Sequence, residues 1–151
     1  MIGARVIALG IGYLFGLFQT GYIYSKLHHV DIRKEGSGNA GTTNALRVLG
    51  KKAAVITLVV DILKGVVAVK FGMMLGYETG IWCALAVFCG HIWPCLYRFK
   101  GGKGVATAFG AILSVNWLLA LTALAIVACG LLISKRMSVG SLLGAATFPV
   151  A

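Results

Sequence analysis

Long apolar stretches alternate along this chain with short polar ones that carry most of its cations. The first apolar stretch runs from about Val6 to Tyr24, the second from Ala53 to Leu75, the third from Ile81 to Tyr97 and the fourth from Val105 to Ser134. Runs of about 18 apolar residues, wound as helices, cross hydrocarbon roughly 30 Å thick. They are continuous rather than alternating, so they predict helices and not the strands of a closed barrel. The fourth stretch does not fit one helix. At 1.5 Å per residue it would be about 45 Å long, and a single crossing would set Lys135 and Arg136 on the face opposite the other cations. It is predicted instead as a short fourth helix from about Val105 to Val115, a turn near Asn116, and a return from Trp117 to about Ile133. A short helix of about 17 Å must be partial or shielded by neighbours. After Met137-Ser138-Val139-Gly140-Ser141 a further apolar run reaches Ala151 and stops midway. The pattern predicts an all-α, polytopic integral membrane helical bundle with about six spans in a single domain, 1–151, truncated at its C-terminus.

The polar positions orient the bundle. The loop from Lys26 to Lys52 holds Lys26, Arg33, Lys34, Arg47, Lys51 and Lys52 against only Asp31 and Glu35. The excess of cations places this loop in the cytoplasm and the N-terminus outside, despite Arg5. Gly76-Tyr77-Glu78-Thr79-Gly80 lacks Lys and Arg and reads as an external turn, whereas Arg98, Lys100 and Lys103 bring the chain back inside. The first stretch is long, has no A-x-A cleavage site, and reads as an uncleaved span rather than a signal peptide. Within it Gly12 and Gly16 are spaced G-x-x-x-G, either to admit a neighbouring helix or as ordinary membrane-helix glycines. Asp61 and Lys64, three residues apart in the second stretch, share a helical face and are read first as a buried pair, with direct substrate contact as the alternative. Lys70 is near enough to the outer end to snorkel.

Composition narrows the class. Hydrophobic residues make up 59% and charged residues 12%, with a mean hydropathy of +0.91, far from the balance of a soluble domain. The net charge of +10 resides in loops, not on a long basic helix, so it indicates topology and anionic lipid or phosphate rather than nucleic acid. Cys83, Cys89, Cys95 and Cys129 form no C-x-x-C pair and read as small apolar fillers.

Two loops carry the candidate chemistry. Gly36-Ser37-Gly38-Asn39-Ala40-Gly41-Thr42-Thr43-Asn44, ending at Arg47, and Lys100-Gly101-Gly102-Lys103-Gly104-Val105-Ala106-Thr107 combine glycine backbone, hydroxyls, amides and cations. These are the groups that surround phosphate. Arg47 offers a bidentate contact and Lys103 a mobile point charge; taken alone, each is also a possible lipid-headgroup contact. The first loop formally matches G-x-G-x-x-G, but no βαβ unit surrounds it, and the second lacks P-loop spacing, so nucleotide binding is set aside. His91, in Gly90-His91-Ile92-Trp93-Pro94, is expected at the mouth of the same face, as an interfacial hydrogen-bonder or as a group that orients or deprotonates a hydroxyl. His28 and His29 read as surface residues. No metal-ligand spacing and no nucleophile elbow is visible. Topology thus gathers Ser37, Asn39, Thr42, Thr43, Asn44, Arg47, His91, Lys100, Lys103, Thr107 and Ser141 at one interface.

With these motifs in place, the chain resembles the bacterial acyl-phosphate:glycerol-3-phosphate acyltransferase (PlsY) family. The likeness rests on the first loop with Arg47, on Gly90-His91 with Pro94, on Phe99 to Thr107, and on Asp61-Ile62-Leu63-Lys64-Gly65 and Ser138-Val139-Gly140-Ser141. It implies an inner-membrane enzyme with a cytoplasm-facing site. Such an enzyme moves a fatty acyl group from acyl phosphate to the sn-1 hydroxyl of glycerol 3-phosphate, forming lysophosphatidate in the first step of phospholipid biosynthesis. The resemblance further implies no metal, and the sequence itself gives no sign of a cofactor or an obligate protein partner. By the same likeness Ser37, Gly38, Asn39 and Arg47 hold the acyl-phosphate end. Lys103, with Lys100, Gly101, Gly102 and Gly104, binds phosphate together with Ser141, and His91 positions the acceptor. Members of the family have a seventh span and a final His/Asn/Arg/Glu-bearing motif that this chain lacks. Ser37, His91 and Lys103 are the expected catalytic residues.

Two rivals come from other classes. A transporter or channel for a phosphorylated anion would use Asp61, Lys64 and the break near Asn116, although the outer face lacks polar loops. A structural subunit that binds anionic lipid would need no turnover.

Overall fold

The computed structural model describes residues 2–135 and 139, and among these every regular element is helical. In order they are α1 (Ile2–Gly16), α2 (Thr20–Leu27), a 3₁₀ turn at Ile32–Lys34, α3 (Thr42–Leu49), α4 (Lys51–Met73), α5 (Tyr77–Ile92), a 3₁₀ turn at Cys95–Tyr97, α6 (Val105–Val115) and α7 (Trp117–Ser134). The expected short fourth helix is present as α6. Asn116 ends it and caps the next helix, its side-chain oxygen accepting from the backbone of Leu118 at 3.0 Å and Leu119 at 3.1 Å. An asparagine that supplies both a helix stop and an N-cap explains why one apolar stretch folds as two helices. The sixth expected span falls outside the described residues.

Small residues make the helix contacts. A Cβ at Gly12 would meet the Cys83 carbonyl at 2.6 Å, and one at Gly16 would meet Gly90 Cα at 2.7 Å. The G-x-x-x-G pair therefore lets α1 and α5 approach backbone to backbone. On the other side Gly65 of α4 faces Thr107 and Ala111 of α6, where a Cβ would lie 2.8 Å from the Ala111 nitrogen. The buried apolar side chains are mostly small, among them Ala8, Ala53, Ala68, Ala86 and Ala111, whereas Leu14, Val55, Leu63, Phe71 and Leu132 are exposed. This is the distribution of a protein whose solvent is lipid: nothing is gained by hiding a leucine, and close packing favours small side chains inside.

The first span departs from expectation. It is not one helix but two, broken at Leu17–Gln19 between α1 and α2. Backbone freed inside hydrocarbon must find partners. Here the Phe18 carbonyl accepts from Lys64 Nζ at 2.7 Å, and Gln19 Nε2 donates to the Gly16 carbonyl at 3.1 Å. The third span also shifts: it starts at Tyr77, inside the stretch read as an external turn, right after Gly76 at φ 130, and it ends at Ile92, because Pro94 cannot continue a helix. The first polar loop is more ordered than its composition suggested, holding both the Ile32–Lys34 turn and α3.

Candidate active site

The first loop is built around its own polar side chains. Asp31 caps the Ile32–Lys34 turn, accepting from the Arg33 backbone at 3.2 Å and from its guanidinium at 3.1 Å, with Lys26 at 3.3 Å. The Arg33 guanidinium beside it holds the Asp31 carboxyl well below the usual carboxylate range, and Asp31 in turn raises Arg33. Asn44, fully buried, organises the loop from within: Nδ2 donates to the carbonyls of Ile32 at 3.1 Å and Glu35 at 3.0 Å, and Oδ1 accepts from the Ser37 backbone at 2.9 Å. Asn39 Oδ1 accepts from the Gly41 backbone at 2.8 Å. Ser37, Gly38, Thr43 and Arg47 are left exposed, and Thr42 is half-buried.

The second loop folds back on the end of α5. The backbone N–H of Gly101 donates to the Ile92 carbonyl and that of Gly102 to the His91 carbonyl, each at 3.2 Å. Both glycines are required by close approach: a Cβ at Gly101 would collide with the His91 carbonyl, and one at Gly102 with His91 Nε2. Gly104, at φ 79, adopts the left-handed conformation that starts α6. Lys100 and Lys103 are exposed.

Two links bring the loops together. Arg33 Cζ stands 4.1 Å over the Tyr22 ring, and Tyr22 meets Tyr97 edge-on with centroids 5.0 Å apart. Beneath them, Gln19 Nε2 donates to the His91 carbonyl at 3.0 Å. Below the glycine turn lies a buried ionic cluster. Asp61, Lys64 and His91 are 2%, 5% and 3% exposed. Lys64 Nζ is 2.8 Å from Asp61 Oδ1 and 2.6 Å from His91 Nδ1, and Thr20 donates to Asp61 Oδ1 at 3.1 Å.

A sequence profile described as Glycerol-3-phosphate acyltransferase matches residues 6–151. The chain belongs to this glycerol-3-phosphate acyltransferase family. It is 49% identical over 140 residues to the glycerol-3-phosphate acyltransferase of Thermoanaerobacter sp. (strain X514), covering 91% of this chain and 71% of that one. The crystal structure of PlsY (YgiH), an integral membrane glycerol 3-phosphate acyltransferase, in its glycerol 3-phosphate form superposes with a TM-score of 0.87 at 34% identity, covering 93% of this chain and 72% of that one. The lysophosphatidic acid form of that protein gives 0.86 at 33% identity, covering 95% of this chain and 72% of that one. This acyltransferase is an all-helical integral membrane enzyme, and the transporter reading finds no support.

Within this family member the expected site residues separate into groups. Ser37, Gly38, Asn39 and Arg47 belong to the first polar loop and Lys100 to Gly104 to the second, whose approaches meet through Tyr22 and Tyr97. His91 is not at the open mouth but beneath the glycine turn. Thr107 is fully buried against α4, its hydroxyl without a hydrogen-bond partner among the described residues, and Asn44 is occupied inside its own loop. Ser141 lies outside the described residues. The buried pair of Asp61 and Lys64 matches the first reading of those two residues. Gln19 and Thr20 were missed as partners of this cluster; two polar residues side by side in an apolar run were their signal. Among the described residues, no group of three or more His, Cys, Asp or Glu is placed to hold a metal ion.

Proposed function

We propose that this chain transfers a fatty acyl group from acyl phosphate to the sn-1 hydroxyl of glycerol 3-phosphate, forming lysophosphatidate. The observation that supports the reading is the contact of Arg33, Tyr22 and Tyr97, which links the chain segments leading into the two glycine-rich loops. Ser37, Gly38, Asn39 and Arg47 hold the acyl-phosphate end, with Thr42 and Thr43 beside them. Lys103 and Lys100, with the backbone of Gly101, Gly102 and Gly104, hold the acceptor's phosphate, and Ser141 adds a hydroxyl.

An acyl phosphate is a mixed anhydride with a good leaving group, so no protein nucleophile is needed. The acceptor hydroxyl oxygen attacks the acyl carbon, the bond from that carbon to the phosphate oxygen breaks, and phosphate leaves with the hydroxyl proton. Neutralising two anions held close together, and orienting the hydroxyl between them, is the enzyme's main task. The cation-bearing loops face the cytoplasm of a bacterial inner membrane and the N-terminus lies outside, in keeping with the excess of Lys and Arg in those loops. Residues 1–151 act as one transmembrane domain.

The test is incubation of the protein in lipid mesophase with palmitoyl phosphate and glycerol 3-phosphate, following both phosphate and lysophosphatidate. One-to-one formation of the two, abolished in Lys103→Ala, is expected. Phosphate release without lysophosphatidate, or full activity in Lys103→Ala, would overturn the assignment.

A further inference from the structure

We propose that Lys64, anchored by Asp61, fixes His91 as a neutral imidazole with its proton on Nε2, so that His91 donates a hydrogen bond to an oxygen of the phosphorylated acceptor and does not act as a base. Its ligand half rests on the acceptor-binding role given above to the second loop; its tautomer half does not.

The argument is a donor count. An ammonium has three hydrogens and no lone pair. Lys64 Nζ has three close partners: the Phe18 carbonyl at 2.7 Å, Asp61 Oδ1 at 2.8 Å and His91 Nδ1 at 2.6 Å. The first two only accept, so the third hydrogen goes to His91, and Nδ1 must offer a lone pair. A neutral imidazole that accepts at Nδ1 carries its hydrogen on Nε2. A doubly protonated ring would press an N–H against the ammonium. Asp61 lies 4.0 Å from Nδ1, too far to hydrogen-bond it, and is taken up by Lys64 and Thr20. The break between α1 and α2 is part of the device, because only an unwound Phe18 has a carbonyl free for Lys64.

The Nε2 end of the ring abuts Gly102, the position where any Cβ would collide with it. Among the described residues no hydrogen bond reaches Nε2. The donor is therefore aimed at the turn that carries Lys103, where glycine backbone and no side chain lies over that edge of the ring. Asp61 and Lys64 are positioning residues: they touch no substrate but decide which nitrogen of His91 holds the proton.

Nitrogen NMR of the His28→Gln/His29→Gln chain, in which His91 is the sole histidine, reads the tautomer without turnover. The expected spectrum at neutral pH is a single neutral tautomer, Nδ1 bare and Nε2 protonated. The Asp61→Asn/Lys64→Met double variant removes the pair without leaving a buried charge and should return the ring to mixed tautomers, whereas Lys64→Arg, still a donor, should keep one. Titration with glycerol 3-phosphate alone should move the Nε2 signal and the Gly101–Gly104 amides together, with affinity roughly tenfold weaker in the double variant. A proton on Nδ1, or an unchanged tautomer in the double variant, would overturn the proposal. Loop amides that shift while Nε2 stays put would overturn its ligand half. Shifts in neither, with the tautomer as expected, would instead defeat the acceptor-loop reading and the ligand half with it, leaving the Lys64 control of His91 supported.

Discussion

Tyr22 and Tyr97 meet edge-on with ring centroids 5.0 Å apart, and theirs is the side-chain contact that joins the Arg33 side of the first loop to the approach of the second. An aromatic pair of this geometry is worth about 0.5–1.5 kcal/mol beyond its buried area. Tyr97→Ala is expected to raise KM for both substrates by roughly two- to tenfold with little loss of thermal stability. Tyr97→Phe, which keeps the ring, should behave as wild type. Steady-state kinetics of the two variants side by side checks this.

Glycines in this chain differ sharply in what they tolerate. A Cβ at Gly102 would run into the His91 ring, whereas one at Gly10 would have nothing within 4 Å. Gly102→Ala is expected to displace the loop and reduce kcat/KM on the order of tenfold or more, mainly through acceptor KM, as misplacement of a binding group does. Gly10→Ala, in an ordinary helix, should be neutral or slightly stabilising. Kinetics and a melting curve for each suffice.

Asn44 has the look of a ligand-binding residue and the contacts of a scaffold. Asn44→Ala would leave the Ser37 amide and the carbonyls of Ile32 and Glu35 without their partner. A buried polar group stranded this way costs about 1–3 kcal/mol. The expected result is faster proteolysis between residues 31 and 41 together with loss of turnover. Asn44→Asp should fail as well, since a carboxylate oxygen would face two carbonyls. Loop cleavage at the wild-type rate in an inactive Asn44→Ala would instead indicate direct contact with substrate.

Asp31 provides a pH signature. Its folded-state pKa is held well below the ordinary 3.8, first by the hydrogen bond from Arg33. A depressed carboxyl contributes stability that is complete above the unfolded value and is lost only as pH falls through the folded one. Carbon NMR of the side chain should therefore show Asp31 still ionised at pH values below the ordinary 3.8. Asp31→Asn should lower stability at neutral pH by roughly 1 kcal/mol, as for a solvent-accessible ion pair. A carboxyl titrating near its ordinary value would contradict the Arg33 contact.

Much of the fold was legible because it depends on local chemistry. Asn116 announces a stop and a cap within four residues. Gly12 and Gly16 carried the close approach as one of two readings, and the spacing of Asp61 and Lys64 makes them a pair. What was not legible depends on distant parts of the chain. The unwinding at Leu17–Gln19 disappears in an apolar average, since it exists only because Lys64 and His91 supply partners from elsewhere. His91 looked exposed because nothing near it in sequence reveals that Gly101 and Gly102 fold back to cover it. Asn44 and Thr107 have the residue types of a binding site, and only the packing of α3 and α6 shows that they face inward.

The break in the first span also divides responsibilities. α1 is seated by α5 through Gly12 and Gly16, while α2 is seated by the first loop, where a Cβ at Gly21 would collide with the Ala40 carbonyl. A continuous helix would work as one lever, and any tilt forced on one half by a thicker or thinner bilayer would swing the loop at the other end. With the break at Leu17–Gln19, the two halves of the span take their bearings from different partners, so the placement of α2 against the first loop is set apart from the placement of α1 against α5.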